Sequence, residues 1–167
     1  MDNTSFRFIC IGNLLHGNDG LGHRVFQQLQ HYFLPANVDV IEGGIGGMTL
    51  LPLFRDIDHV VIIDIMKRDN NTGEVTLYPD VIGRLPANAN VNKAHGGDVT
   101  TLLGMLPVYL DKVPMVDLVC VNVTDVEHYS VALEEQVEAS VKQVCDTLIG
   151  LIEHNYVQCD DVKGVNT

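Results

Sequence analysis

Positive charge is scarce in this chain of 167 residues: ten lysines and arginines stand against 22 aspartates and glutamates, a formal charge of −12. So acidic a surface repels phosphate backbones and anionic headgroups alike, which speaks against nucleic acid and against a membrane as partners. Serine is scarcer still, at Ser5, Ser130 and Ser140, and none lies in the glycine-flanked elbow of a serine nucleophile. No C-x-x-C pair occurs among Cys10, Cys120, Cys145 and Cys159, so a zinc finger or a dithiol redox centre is excluded. Cys10 and Cys120 fall inside apolar runs, where a thiol is a small buried hydrophobe without the exposure a nucleophile requires. The chain has no H-E-x-x-H of a self-contained zinc peptidase, no G-x-G-x-x-G and no Walker lysine. No apolar run is long enough to cross a bilayer, and the N-terminal stretch, broken by Gly12-Asn13, does not read as a secretion signal. A reducing, cytoplasmic setting is expected.

What is present is a compact globular composition, 46% hydrophobic and 19% charged. One domain over residues 1–155 is expected, followed by a flexible tail at 156–167. Residues 6–11 form an apolar run that reads as a strand buried on both faces. From Leu21 the period changes, with Leu21, Val25, Phe26, Leu29 and Phe33 on one helical face until Pro35 stops it. A second strand at 38–41 leads into the loop EGGIGG and a short helical stretch at 48–54. Residues 58–64 carry an unbroken β-branched interior ending in Asp64, as a central parallel strand should. A polar turn precedes a short alternating segment at 74–78, read as an antiparallel edge strand. After a loop over 79–94, His95-Gly96-Gly97 opens a helix that buries Val99, Leu102, Leu103 and Leu106 and ends near Pro107. The last strand is 116–123, and the last helix runs over 134–154 with Val137, Val141, Val144, Leu148 and Leu151 inward. Strands alternating with helices imply an α/β three-layer sandwich: a five-stranded, mostly parallel twisted sheet with helices on both faces.

In such sheets ligands bind beyond the carboxyl ends of the strands. Asp19 follows the first strand, Asp64 closes the central one and His95 precedes a helix, so the topology predicts that all three share one rim. Each has a plainer role. Asp19 suits the cap of the helix that follows it. Asp64 suits an acceptor for backbone donors in the next turn. A lone histidine such as His95 is more often structural than a ligand. His16 is a reserve candidate because it shares the Asp19 loop, whereas His23, His31, His59, His128 and His154 carry no comparable signal.

Three stretches together resemble the nickel-iron hydrogenase maturation endopeptidases over about residues 8–152. The first is a G-N-x-L-x-x-(D/N)-(D/E)-G-x-G loop, here Gly12-Asn13-Leu14-Leu15-His16-Gly17-Asn18-Asp19-Gly20-Leu21-Gly22. The second is the turn Glu42-Gly43-Gly44-Ile45-Gly46-Gly47, and the third pairs the strand ending at Asp64 with His95 before its helix. The resemblance implies that Asp19, Asp64 and His95 contact a metal and carry the reaction. It also implies that nickel is brought by the substrate, not held tightly by the resting enzyme. The implied activity removes a C-terminal extension from a nickel-iron hydrogenase large-subunit precursor after nickel insertion. A monomer is expected. Gly43, Gly44, Gly46 and Gly47 are candidate substrate-binding positions, since glycine lets an extended peptide lie close; a tight strand-to-helix connection explains them as well. One departure stands out: where the family commonly has an acid before the loop carboxylate, this chain has Asn18.

Two alternatives stand beside this one. A peptidyl-tRNA hydrolase also opens with a Gly-Asn loop after its first strand, but its substrate calls for a basic cleft. A non-catalytic nucleotide- or metal-binding module would use the same loops without shortening any protein.

Overall fold

The computed structural model describes residues 4–84, 97–125 and 129–161, the side chains of 97, 98 and 155–161 excepted. Five strands, β1 (Phe6–Ile11), β2 (Val38–Gly44), β3 (His59–Lys67), β4 (Val75–Tyr78) and β5 (Met115–Val123), form one sheet in the order β2-β1-β3-β5-β4. All neighbours are parallel except β4 against β5, as the short alternating segment predicted. The helices are α1 (Leu21–Leu29), α2 (Gly97–Tyr109) and α3 (Glu135–Asp161), with 3-10 segments at Gly17–Gly20 and Met48–Phe54.

Alternation along the buried strands splits the core in two. Phe6, Phe8, Val61, Ile63, Val119 and Val121 face α1 and α3, meeting Leu21, Val25, Val137, Val144 and Leu148. Ile9, Val60, Ile62 and Val116 face the other way, against Phe54, Leu102 and Leu106 from the 3-10 segment and α2. Each side chain buried this way contributes about 1.5–3 kcal/mol, and both faces of one sheet are covered, hence three layers. Among the described residues no helix is long and apolar enough to cross a membrane.

Several element ends differ from the sequence expectation, each for a packing reason. α1 stops at Leu29, where Gln30, His31 and Tyr32 donate to carbonyls three residues back and tighten the chain out of the helix. Phe33 is consequently 99% exposed and does not extend the apolar face. β2 continues through Gly43 and Gly44, so those two belong to a strand and not to a loop. β3 passes Asp64 and runs to Lys67, because β5 keeps pairing with it as far as Lys67 opposite Val123. α2 ends near Pro107, as expected, with the proline inside its last turn. That proline lies on the exposed side of the last turn, and Leu110 N–H still reaches the Leu106 carbonyl. α3 extends to Asp161, into the segment expected to be a tail.

Candidate functional site

The strand order places a topological switch between β1 and β3, since the chain leaves β1 toward β2 on one side and returns to β3 on the other. Crevices at such switch points are where open α/β sheets bind ligands. Pairing of β1 with β3 ends at Cys10 opposite Ile63. Asp64 is therefore the first residue of β3 beyond its β1 neighbour, while still paired with Cys120 on the other side. Its place is inside a strand, at the point where one flank of that strand opens.

Asp19 reaches the same place from β1. After Ile11 the backbone turns at Gly12, whose φ of 148° and proximity to the Asp19 carbonyl exclude a side chain. At Gly22 a Cβ would fall 2.1 Å from the Ile11 carbonyl oxygen, so α1 begins in direct backbone contact with the end of β1. The plainer role expected for Asp19 is not the one adopted. Gly20 occupies the N-cap of α1 and no side chain caps that helix. Asp19 Oδ2 instead accepts the Asn13 N–H at 2.9 Å, across the loop.

Asp64 Oδ1 accepts the N–H of Ile65 at 2.8 Å. Burial above all pushes its carboxyl up to about 7, with the Ile65 N–H working against the rise and the charge of Asp19 adding to it. Each of the two acids has one oxygen oriented by a backbone donor, which fixes a carboxylate for proton transfer or cation binding. Cys120, beside Asp64 in the sheet, is pushed up to about 12 by burial and then by the Asp64 charge. It stays a thiol, as its apolar surroundings predicted.

His95 lies outside the described residues. α2 joins the start of β5 through residues 110–114, so its other end, at Gly97, lies on the carboxyl-end side of the sheet. Among the described residues no group of three histidine, cysteine or acidic side chains could hold a metal. Within the turn at 42–47, Gly43 sits where the β1–β2 register slips, and Gly44, Gly46 and Gly47 have φ of 60°, 83° and 87°. Backbone conformation thus accounts for three of these four glycines. Glu42 pairs with His23 of α1 at 2.5 Å, tying the turn to the helix. His16, the reserve candidate, is exposed and stacks edge-on against Tyr129.

Two features escaped the sequence reading. His59 is buried, with Nε2 2.9 Å from Asp117 Oδ2, and Phe6 packs on its ring. Burial works to raise the Asp117 carboxyl, but the His59 and Asp80 N–H hydrogen bonds and the positive potential of His59 and Arg84 hold it below the usual range. The pair lies at the strand starts, far from the Asp19–Asp64 rim, and locks β3 to β5 and to the segment after β4. An acid within the apolar run 116–123 was the available signal, since a buried charge needs a partner. The second feature is Asn18, buried and bonded to residues more than 100 positions away. Nothing in its sequence neighbourhood announces those partners.

The sequence profile of the hydrogenase maturation proteases matches residues 23–151, a span that holds Asp64 and His95 and begins just after Asp19. The hydrogenase 2 maturation protease of Escherichia coli is 35% identical over 72 residues, 42% of this chain and 44% of that one. A putative hydrogenase maturation protease of Methanocaldococcus jannaschii is 38% identical over 79 residues, 45% of this chain and 50% of its own length. The chain thus spans about half the length of the curated relatives it matches. Among solved structures, the maturating endopeptidase HybD of Escherichia coli superposes with a TM-score of 0.77 at 23% identity, covering 91% of this chain and 94% of that one. The maturation protease HycI of Thermococcus kodakarensis gives 0.72 at 14% identity, over 90% and 93%. At those identities the structures speak for the shared α/β fold alone.

Proposed function

This chain belongs to the hydrogenase maturation protease family, and from that premise we propose that it removes the C-terminal extension of a nickel-iron hydrogenase large-subunit precursor once nickel is in place. The observation that carries the proposal is the meeting of Asp19 and Asp64 at the β1/β3 switch, close enough for one charge to raise the other. Two carboxylates are an incomplete donor set, with room for a third ligand and for groups from the substrate. His95, two positions before α2 begins on the same side of the sheet, is the proposed third. Oxygen donors with one imidazole suit borderline divalent ions such as nickel, and a site lacking its full complement shares a cation with its substrate instead of keeping it. A bound nickel supplies a Lewis acid that polarises a carbonyl or activates water.

The chain's own part is positioning and proton handling. Asp19, anchored by the Asn13 N–H, presents a fixed oxygen to the rim. Asp64, at about 7, is partly protonated near neutrality and so can take a proton from attacking water and return it to the leaving amine. The turn at 43–47, where Gly44 and Ile45 are exposed, is the surface along which the precursor's tail is proposed to lie. We place the activity in the cytoplasm, with the protein as a monomer.

The test is incubation with nickel-loaded and nickel-free precursor, followed by mass analysis of the large subunit. Shortening of the loaded form alone is expected, and Asp19→Asn or His95→Ala should each abolish it while the circular dichroism spectrum stays native. Normal processing by both variants would overturn the site assignment.

A further inference from the structure

Asn18 immediately precedes Asp19 in the first loop, and it is only 4% exposed. Its Nδ2 donates to the Asp125 carbonyl at 3.2 Å, and its Oδ1 accepts the N–H of Glu134 at 2.9 Å. Both partners belong to the segment joining β5 to α3, Glu134 being the residue whose carbonyl accepts the first α3 hydrogen bond, from Glu138. The same segment is tied to the loop twice more. Gly17 N–H donates to the Ser130 carbonyl at 2.6 Å, and Ser130 N–H donates to the Leu15 carbonyl at 3.0 Å.

The Asn18 amide donates to one carbonyl through its nitrogen and accepts one N–H through its oxygen, so a side chain here needs both functions. An ionised carboxylate only accepts, so an aspartate here would set an anionic oxygen against the Asp125 carbonyl. Burial makes each of these two hydrogen bonds costly to lose, so the amide at this position is a constraint. Asp19 is the next residue in the same 3-10 turn, and no helix cap restrains it.

Resting on the reading that Asp19 acts on the precursor, we propose that Asn18 is a positioning residue: its amide clamps the Gly17–Gly20 turn to the β5–α3 segment and so holds the Asp19 carboxylate at the rim. Two readouts test it on the full chain. The amide proton of Asn13, bonded to Asp19 Oδ2, reports by NMR whether that carboxylate stays seated. In Asn18→Ala and Asn18→Asp its resonance should move upfield while the amides of β3 keep their wild-type positions. In precursor cleavage, kcat should fall by about tenfold or more, because small displacements of a reacting group are costly. KM should stay within about threefold, since uniform binding is untouched.

A role in folding alone would lower the melting temperature and leave both readouts unchanged below it. An unmoved Asn13 resonance in a folded variant overturns the proposal. If Asn18→Ala does not fold, Asn18→Leu, which removes donor and acceptor at similar volume, is read in the same way. Failure of the wild-type chain to shorten any precursor removes the proteolytic reading, and the Asn13 resonance still decides the clamp.

Discussion

Asp64 is held in a place that suits chemistry better than stability. With its carboxyl raised to about 7, the folded chain keeps a proton that the unfolded chain has already lost above about pH 4. Stability therefore falls as pH rises through the interval from about 4 to about 7, by up to about 1.4 kcal/mol per pH unit. Asp64→Asn, which still accepts the Ile65 N–H, should raise the denaturation midpoint at pH 8 and much less at pH 4, while abolishing processing. Its stabilisation is bounded by about 4 kcal/mol. Asp117 has the opposite sign, since its carboxyl is held low. Its contribution is present at neutral pH and lost as pH falls below the ordinary carboxylate range. Asp117→Asn should destabilise the chain by about 3 kcal/mol in urea at pH 7, because it breaks a buried pair with His59, and should leave cleavage below the midpoint unchanged.

At the scale of elements, the contact of β1 with α1 is what carries Asp19 to the rim, and glycine at position 22 permits it. The same substitution at two glycines separates that role from helix propensity. Gly22→Ala would thrust a methyl group into the Ile11 carbonyl and should cost about 1–3 kcal/mol, with α1 displaced. Gly104→Ala, in α2 with nothing within 4 Å of the added methyl, should stabilise by about 0.5–1 kcal/mol. Urea midpoints of the two variants give the comparison; equal shifts would refute the close-contact account. Element types were legible from periodicity, because burial on both faces leaves an apolar run and burial on one leaves a helical stripe. Their ends were not. β3 outruns Asp64 because β5 goes on pairing with it, and α1 stops short of Phe33 because the chain tightens where its buried face is used up. Both are decided by neighbours remote in sequence.

For the molecule as a whole, the −12 formal charge sets the choice of partner. A gel-shift with tRNA at low salt should show no complex, since the acidic charge repels the phosphates; tight binding would return the hydrolase alternative to consideration. Among the described residues, both apolar cores lean on the same five-stranded sheet.

Sequence alone determined the class of fold, the mostly parallel sheet with its antiparallel edge, and the candidacy of Asp19 and Asp64, because burial pattern and turn chemistry are local properties of the chain. Tertiary structure decided that Asp19 leaves its helix uncapped, that Asp64 sits where β1 falls away from β3, that Asp117 answers His59 and that Asn18 is an amide for the sake of Asp125 and Glu134. All but the first of these depend on groups tens of residues or more apart meeting across the fold. A distance across the fold is not written in the spacing along the chain.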